Sequence, residues 1–210
     1  MEILFVAATQ AEVAEYQSVV IKNNYPVDIL VTGAGMVPTA FMLGQHLTMR
    51  QYDVIINVGV AGSFRRDIEL GSVVRIVNDQ FSELGAEAKD HFLSFEEISL
   101  GQSCYQEKLP EKLRRCSAID ELNTMKAITV NTVHGNQESI KKIITRINPD
   151  LESMEGAAVF YVADKLDIPV LQVRSISNYV EERNREAWNM HTAIINLNNW
   201  LNRLSAEIYS

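Results

Sequence analysis

Short runs of consecutive apolar residues recur along the chain, and helix-like segments of mixed polarity lie between several of them. Apolar runs of this length are typical of strands that are buried on both faces of a sheet. The pattern predicts strands at residues 3–8, 27–31, 54–58, 73–77 and 170–176, with a shorter candidate at 128–130. It predicts helices near residues 11–21, 36–50, 137–147, 155–166 and 184–208.

The order of these elements predicts the fold class. Strands alternate with helices, and Pro149 and Pro169 follow predicted helices, while Gly33 follows a strand. Such alternation favours a three-layer α/β sandwich, with a mostly parallel or mixed central sheet flanked by helices. We expect a single domain over residues 1–210, with long loops between residues 79 and 126 that shape a substrate site.

The composition narrows the range of partners. The chain has 210 residues, 47% of them hydrophobic, which suits one α/β core and is also compatible with two small domains. Its 27 acidic and 19 basic residues give a net charge of −8 without a long basic stretch, so we expect neither a nucleic acid nor a membrane surface as partner. Two cysteines, no signal-peptide pattern and no apolar run of about 18 residues indicate a reduced, cytoplasmic compartment.

We expect neither a metal nor a dinucleotide as cofactor. The segment GAGMVP begins like a dinucleotide fingerprint, but Pro38 stands where the third glycine is needed. Ser63 and Ser177 lack the partner pattern of a serine hydrolase. No metal-ligand spacing relates the four histidines, which are His46, His91, His134 and His191.

Polar and small residues follow several of the predicted strands. In open α/β sheets, ligands bind beyond the carboxyl ends of the strands, so these residues are expected to converge on one cleft. Glu155, at the start of a predicted helix, is a further candidate for the same cleft. The residues after strands are Glu12, Thr32, Gly33, Ala61, Gly62, Asn131, Thr132, Ser177 and Asn178.

Each candidate also has a purely structural interpretation. Glu12 and Glu155 are acids in a first helical turn, where they complement the helix dipole, and Asn178 is a common residue at a strand end. Glu155, however, lies between Met154 and the small residues 156–158. A carboxylate in such company is costly unless a donor or a ligand satisfies it, which favours the functional interpretation.

Five segments together resemble one family: AATQAEV, TGAGMVPT, INVGVAGSF, SMEGAAV and VRSISN. Through them most of the chain resembles the nucleoside phosphorylase/nucleosidase superfamily, in its purine nucleosidase branch. The resemblance implies a nucleoside phosphorylase-like fold, a purine nucleoside as substrate and a homo-oligomer.

The resemblance also implies roles for individual residues. Glu12 would deprotonate the water that attacks C1′, Glu155 would accept hydrogen bonds from the ribose hydroxyls, and Met154 would pack on the sugar. Backbone contacts to base and sugar would come from Thr32, Gly33, Val60, Ala61 and Gly62.

One position departs from the adenine-specific members, which carry Asp where this chain has Asn178. An Asn amide can donate to O6 and accept from N7–H of a 6-oxopurine, so Asn178, next to Ser177, indicates hypoxanthine or guanine. The segment ISNYVEERNREAW resembles futalosine hydrolases, which implies release of hypoxanthine from futalosine in menaquinone biosynthesis. The alternatives are a methylthioadenosine/S-adenosylhomocysteine nucleosidase, a purine nucleoside phosphorylase and a non-catalytic nucleoside-binding protein.

The resemblance to futalosine hydrolases predicts a site for a benzoate, because futalosine carries that group beyond its 5′ carbon. Arg183 and Arg185 could hold the carboxylate, with Tyr179 and Trp188 as an aromatic wall. Alternatively, both arginines are solvated and paired with neighbouring glutamates. Arg65 and Arg66 are the reserve candidates.

Overall fold

The computed structural model describes residues 1–209, which form ten strands and seven α-helices. The strands are β1 (Ile3–Ala7), β2 (Val27–Val31), β3 (Val54–Ser63), β4 (Val73–Phe81), β5 (Gly85–Ala88), β6 (His91–Ser94), β7 (Cys104–Gln106), β8 (Thr124–Thr129), β9 (Leu151–Ser153) and β10 (Val170–Tyr179). The helices are α1 (Gln10–Asn23), α2 (Met36–Met49), α3 (Glu111–Arg114), α4 (Ser117–Asp120), α5 (Gln137–Arg146), α6 (Gly156–Lys165) and α7 (Met190–Tyr209).

The main sheet has eight strands and closes on itself over part of its length. Strand β3 pairs with β1 along its first half and with β9 at its end, while β10 runs along its other edge. Because β10 pairs with β4, β4 with β8 and β8 with β9, five strands form a closed ring. Strands β2, β1, β3 and β10 are parallel, so their carboxyl ends lie at one edge of the sheet.

Helices cover both faces of this sheet. On β1, Ile3 and Phe5 pack into a core cluster with residues of α1 and α7, whereas Leu4 and Val6 pack on the other face with residues of α2 and α6. Successive side chains of a strand point to opposite faces, so an unbroken apolar run serves both cores. Each fully buried side chain of this size contributes roughly 1.5–3 kcal/mol to folding. The predicted three-layer α/β sandwich with a mixed sheet is confirmed.

Three predicted strands continue beyond their apolar runs. Strands β3, β4 and β10 end at Ser63, Phe81 and Tyr179, so residues 61–62 and 177–178 lie within strands rather than after them. The extra residues are paired within the closed ring, which supplies hydrogen-bond partners that side-chain hydropathy does not reveal.

Two other predictions about secondary structure are wrong. Residues 79–126 do not form long loops: they contain the β5–β6 hairpin, β7, α3 and α4. The last helix begins at Met190 rather than at residue 184, because Asn184 caps a separate 3₁₀ turn over Arg185–Ala187. Within residues 1–209 no helix is long and apolar enough to cross a membrane.

Candidate active site

The carboxylate of Glu12 is buried where β1 leads into α1. Its Oε2 accepts hydrogen bonds from the backbone N–H of Thr9 (2.8 Å) and from the Thr9 hydroxyl (2.9 Å). These bonds make Glu12 the acid of a capping box at the start of α1, whereas the structural interpretation expected only a first-turn acid that complements the helix dipole. Its Oε1, however, reaches across to the sheet and accepts from the backbone N–H of Val60 at 3.0 Å. Glu12 therefore links α1 to the carboxyl end of β3, at the edge where a ligand is expected.

A buried arginine that the sequence patterns did not reveal lies beside Glu12. A Cβ atom on Gly59 would come within 2.7 Å of Glu12 Oε1 and 2.6 Å of Arg174 Nη1, so the glycine leaves room for both groups. Arg174 is 2% exposed and donates from Nη2 to Asn57 Oδ1 at 2.7 Å, and its Nε has no hydrogen-bond partner among residues 1–209. The absence of a side chain at residue 59 therefore lets a buried positive charge lie beside the carboxylate of Glu12.

Glu155 is buried immediately before α6. Its Oε1 accepts from the backbone N–H of Gly35 at 2.9 Å, and its Oε2 accepts from the N–H of Met154 at 3.2 Å. Gly35 has a φ of 99°, a conformation that favours glycine and that presents its N–H to the carboxylate. Backbone donors therefore satisfy a carboxylate that its apolar neighbours in sequence could not, and Glu155 ties the loop after β2 to the start of α6.

Another buried carboxylate, that of Asp79, lies beneath the first turn of α6. Asp79, fully buried on β4, accepts hydrogen bonds from Thr129 Oγ1 and Gln172 Nε2, each at 2.9 Å. Thr129 Oγ1 in turn accepts from the backbone N–H of Ala157 at 2.7 Å. Burial raises the pKa of the Asp79 carboxyl to about 6, although its hydrogen bonds and the charge of Arg174 oppose the rise. This network fixes the start of α6, and with it Glu155.

Asn178 lies at an irregularity of β10. The pairing between β10 and β3 slips between Ile176 and Asn178, so that Asn178 lies opposite Gly62. Such a bulge re-aims the side chains that follow it. The Asn178 amide accepts from Ser177 Oγ at 2.8 Å and donates to the carbonyl of Tyr179 at 3.0 Å.

A recess of about 50 Å³ opens beside Asn178. Gly62 belongs to its lining, and a Cβ atom there would come within 3.2 Å of Asn178 Nδ2 and 3.6 Å of Glu152 Cγ. Glu152, on β9, pairs with His134 in the same lining. No sequence pattern pointed to Glu152, because residue 152 lies between two predicted helices and follows no predicted strand.

The arginines proposed to bind a benzoate lie around Trp188. The guanidinium carbons of Arg183 and Arg185 lie 5.4 and 5.9 Å from the ring centroid, but only Arg183 and Trp188 line the recess beside Asn178. Neither arginine forms an ion pair with any residue in the range 1–209, whereas Glu181 pairs with Arg66. The reserve candidate Arg65 is held by Asp67 and Asp150.

The other backbone groups predicted to contact a ligand have partners inside the chain. The N–H groups of Thr32 and Gly33 donate to the carbonyls of Ala7 and Ala8, each at 3.0 Å. The carbonyl of Ala61 accepts from Ser177 Oγ at 3.2 Å. Within the described part of the chain, no group of three or more His, Cys, Asp or Glu side chains could hold a metal ion.

Comparison with known proteins identifies the family. Residues 7–208 match the sequence profile of the Phosphorylase superfamily. The chain belongs to the phosphorylase superfamily. Both Glu12 and Glu155, and the strand that carries Asn178, lie within the matched residues.

Within the phosphorylase superfamily, the chain is similar to proteins with two named activities. It is 28% identical over 189 residues to a futalosine hydrolase of Streptomyces coelicolor, which covers 87% of this chain and 80% of that protein. It is 27% identical to a 5′-methylthioadenosine/S-adenosylhomocysteine nucleosidase of Maridesulfovibrio salexigens, covering 76% of this chain and 71% of that protein. A solved structure, that of the futalosine hydrolase of Helicobacter pylori, superposes with a TM-score of 0.84 at 16% identity, over 99% of this chain and 98% of that chain.

Proposed function

We propose that the chain hydrolyses the N-glycosidic bond of a 6-oxopurine nucleoside and that its substrate is futalosine. The products would be hypoxanthine and dehypoxanthine futalosine, in a step of menaquinone biosynthesis. The observation that carries the proposal is the amide of Asn178, which lines the recess. Glu12 and Glu155 do not line it, but both are buried at helix starts, after β1 and before α6. The similarity to the Streptomyces coelicolor futalosine hydrolase supports the same choice.

In the proposed reaction, the C1′–N9 bond breaks as water forms a new bond to C1′. Glu12 takes the proton that the water loses, and it is held for this by Thr9 and Val60. The sugar becomes positively charged as the base departs, and the carboxylates of Glu12 and Glu155 stabilise that charge. Glu155 also accepts hydrogen bonds from the ribose hydroxyls, while Met154 packs on the sugar.

Asn178 would receive the departing base. As the bond breaks, the base takes up a proton at N7 from solvent, which balances the proton that the water gives to Glu12. Asn178 Nδ2 then donates to O6, and its Oδ1 accepts from N7–H. In the structure these two atoms bond to the carbonyl of Tyr179 and the hydroxyl of Ser177, which orient the amide with its oxygen toward the hydroxyl. A 6-aminopurine presents a donor where this amide offers its own donor, so it would be disfavoured.

The carboxylate of Glu12 argues against a phosphorylase activity for this chain. A phosphate would need the N–H groups near the ends of β1 and β3, but Thr9 and Val60 already donate theirs to Glu12. A phosphate placed there would also be repelled by the negative charge of Glu12, and Arg174 alone would have to offset the charges of the phosphate and the carboxylate.

For the benzoate of futalosine, we propose Arg183 as the residue that holds the carboxylate. It lines the recess with Trp188 and makes no ion pair within residues 1–209, so its fork of donors is available for two hydrogen bonds. Arg185 lies outside the lining at a similar distance from Trp188, which makes it the natural control.

We also propose that the chain forms a homo-oligomer through the helices that start at the site. Helices α2 and α6 begin directly after Gly35 and Glu155, and they expose Val37 (74%), Phe41 (66%) and Tyr161 (43%). Such apolar exposure beside a functional site is typical of a subunit interface. We retain the prediction of a cytoplasmic location, to which the free thiols of Cys104 and Cys116 are suited.

The test is chromatographic detection of the free base released from futalosine, inosine and methylthioadenosine, each with and without phosphate. We expect hypoxanthine from futalosine at a rate independent of phosphate. Release of adenine from methylthioadenosine as the faster reaction would favour the alternative nucleosidase. A strict need for phosphate would establish a phosphorylase, and release of no base from any substrate would favour a binding protein.

A further inference from the structure

Glu152 and His134 form a buried pair whose geometry sets the tautomer of the imidazole. Glu152 is 4% exposed, and its Oε1 accepts from the backbone N–H of His134 at 3.0 Å. Its Oε2 lies 2.6 Å from His134 Nδ1. An ionised carboxylate can only accept, so Nδ1 carries the hydrogen, and in the neutral ring Nε2 is left as an acceptor.

This pair lies across Gly62 from Asn178. Gly62 is the register partner of Glu152 on β9 and of Asn178 on β10, so the three residues stand side by side on adjacent strands. His134, Glu152 and Asn178 all line the same recess. The His134 side chain is 13% exposed, and its Nε2 makes no hydrogen bond to any residue within 1–209. Nε2 is therefore the hydrogen-bonding atom of the pair that remains for a ligand.

We propose that His134, held in this tautomer by Glu152, accepts a hydrogen bond from N1–H of a 6-oxopurine. The inference rests on the proposed function and adds a second determinant of base specificity to Asn178. A 6-oxopurine carries a hydrogen on N1, whereas N1 of a 6-aminopurine is an acceptor. An acceptor at Nε2 attracts the first base and repels the second, so the pair discriminates in both directions.

The competing explanation is that Glu152 only anchors the loop that follows β8. The chain contains a matched control for that role. Glu83 anchors the same loop, because its Oε2 accepts from Asn131 N–H and Nδ2, each at 3.1 Å, yet it does not contact His134. Glu83 is exposed and Glu152 is buried, so their effects on stability differ, but a Glu152 that only anchors this loop should, like Glu83, leave the base preference unchanged when it is replaced.

The decisive variant is Glu152→Gln. The backbone N–H of His134 would hold the glutamine oxygen, which leaves the glutamine NH₂ facing Nδ1. Nδ1 then becomes the acceptor and the hydrogen moves to Nε2, so the ring presents a donor to the base instead of an acceptor. His134→Gln removes the imidazole ring, so the nitrogen-15 NMR signals that are missing from its spectrum are those of His134.

The experiment measures the dissociation constants of hypoxanthine and adenine by calorimetry for the wild type, Glu152→Gln, Glu83→Gln and His134→Gln. We expect the wild type to prefer hypoxanthine and Glu152→Gln to lose roughly 10-fold or more of that preference, the worth of one hydrogen bond. Glu83→Gln should keep the preference. The NMR spectra should show hydrogen on Nδ1 in the wild type and on Nε2 in Glu152→Gln.

Two results would overturn the inference: an unchanged preference in both Glu152→Gln and His134→Gln, or a wild-type imidazole with hydrogen on Nε2. Turnover of futalosine by the wild type is scored separately. If the wild type releases hypoxanthine but the preference does not move in these variants, only the role of His134 fails. If the wild type releases no hypoxanthine, the proposed function itself fails, and the role of His134 with it.

Discussion

At the scale of single residues, Glu12 combines a local bond with a distant one. Thr9, three residues away, belongs to the same helix start, whereas Val60 belongs to β3. The carboxylate is therefore held at both oxygens before any substrate arrives. Such preorganisation suits a general base, because no reorganisation is needed at the moment of reaction.

Replacing Glu12 tests this role. Glu12→Gln should reduce kcat by on the order of 10² to 10⁴, the usual loss when a general base is removed, while hypoxanthine still binds. Stopped-time assays of base release and calorimetry check the two halves of the expectation. Glu15→Gln is the control, since Glu15 is an exposed acid on the same helix. Turnover of Glu12→Gln at the wild-type rate would disprove the assignment.

Asn178→Asp should shift the base preference from hypoxanthine toward adenine. The new carboxyl would face the carbonyl oxygen of Tyr179, which favours the protonated form of the carboxyl. A protonated carboxyl can donate to N7 and accept from the 6-amino group of adenine, whereas the amide of Asn178 suits a 6-oxopurine. The measurement is the ratio of kcat/KM for inosine and adenosine, with Asn23→Asp, at an exposed position of α1, as control. A fully retained preference would leave His134 as the residue that reads the base.

Arg183→Ala should reduce kcat/KM for futalosine by roughly 10-fold or more, about the worth of one charged hydrogen bond, and change inosine hydrolysis little. The physical reason is that inosine lacks the carboxylate that Arg183 would hold. Arg185→Ala should affect neither substrate, because Arg185 does not line the recess. Equal losses on both substrates, or none on either, would show that the benzoate is bound elsewhere.

At the scale of elements, the start of α6 is fixed by side chains from three strands. Asp79 of β4, Thr129 of β8 and Gln172 of β10 form one hydrogen-bonded network beneath it. A Cβ atom on Gly156 would come within 2.0 Å of Asp79 Oδ2, so only glycine allows this approach. The helix is thus held where Glu155 can meet Gly35.

The raised pKa of Asp79 predicts how stability depends on pH. Burial raises the pKa of this carboxyl from 3.8 to about 6, so its contribution to stability is fully present below about pH 4 and is lost as pH rises through about 6. Asp79→Asn cannot ionise, and Gln172 can turn its unpartnered Oε1 toward the new NH₂. The free energy of unfolding of Asp79→Asn, relative to that of the wild type, should therefore rise by about 3 kcal/mol between pH 4 and pH 8.

Urea unfolding at several pH values measures this difference. Asp90→Asn is the control, because Asp90 is an exposed acid on the β5–β6 hairpin turn. A difference between Asp79→Asn and the wild type that does not change with pH would show that Asp79 does not titrate in this range.

At the scale of the whole molecule, the exposed apolar face of α2 predicts association. Phe41→Glu should convert a homo-oligomer into a monomer of 23.7 kDa, because a charge would be buried at the interface. Light scattering after size-exclusion chromatography measures the mass. Ile21→Glu is the control, since Ile21 is similarly exposed, at 74% against 66% for Phe41, but lies on α1. A monomeric wild type would contradict the proposed oligomer.

The sequence by itself determined the layers of the fold and three residues of the proposed site. A strand that is buried on both faces, such as residues 3–7, needs consecutive apolar residues. This need is met within one short segment, so the sequence alone predicts it. Glu12 and Glu155 are predicted because each follows a strand or begins a helix, and Asn178 because a polar residue ends an apolar run. These signals need no knowledge of what lies across the fold.

Only the tertiary structure decided which groups meet. Gly35 and Glu155 are 120 positions apart, and Asn57 and Arg174 are 117 apart. The ring of β3, β10, β4, β8 and β9 brings Glu152 and Asn178 to either side of Gly62, through the end of β3 and a bulge that no hydropathy pattern marks. The physical reason is that the pairing of distant strands sets the position of the groups in the recess. Local patterns of apolar and polar residues do not reveal which strands pair.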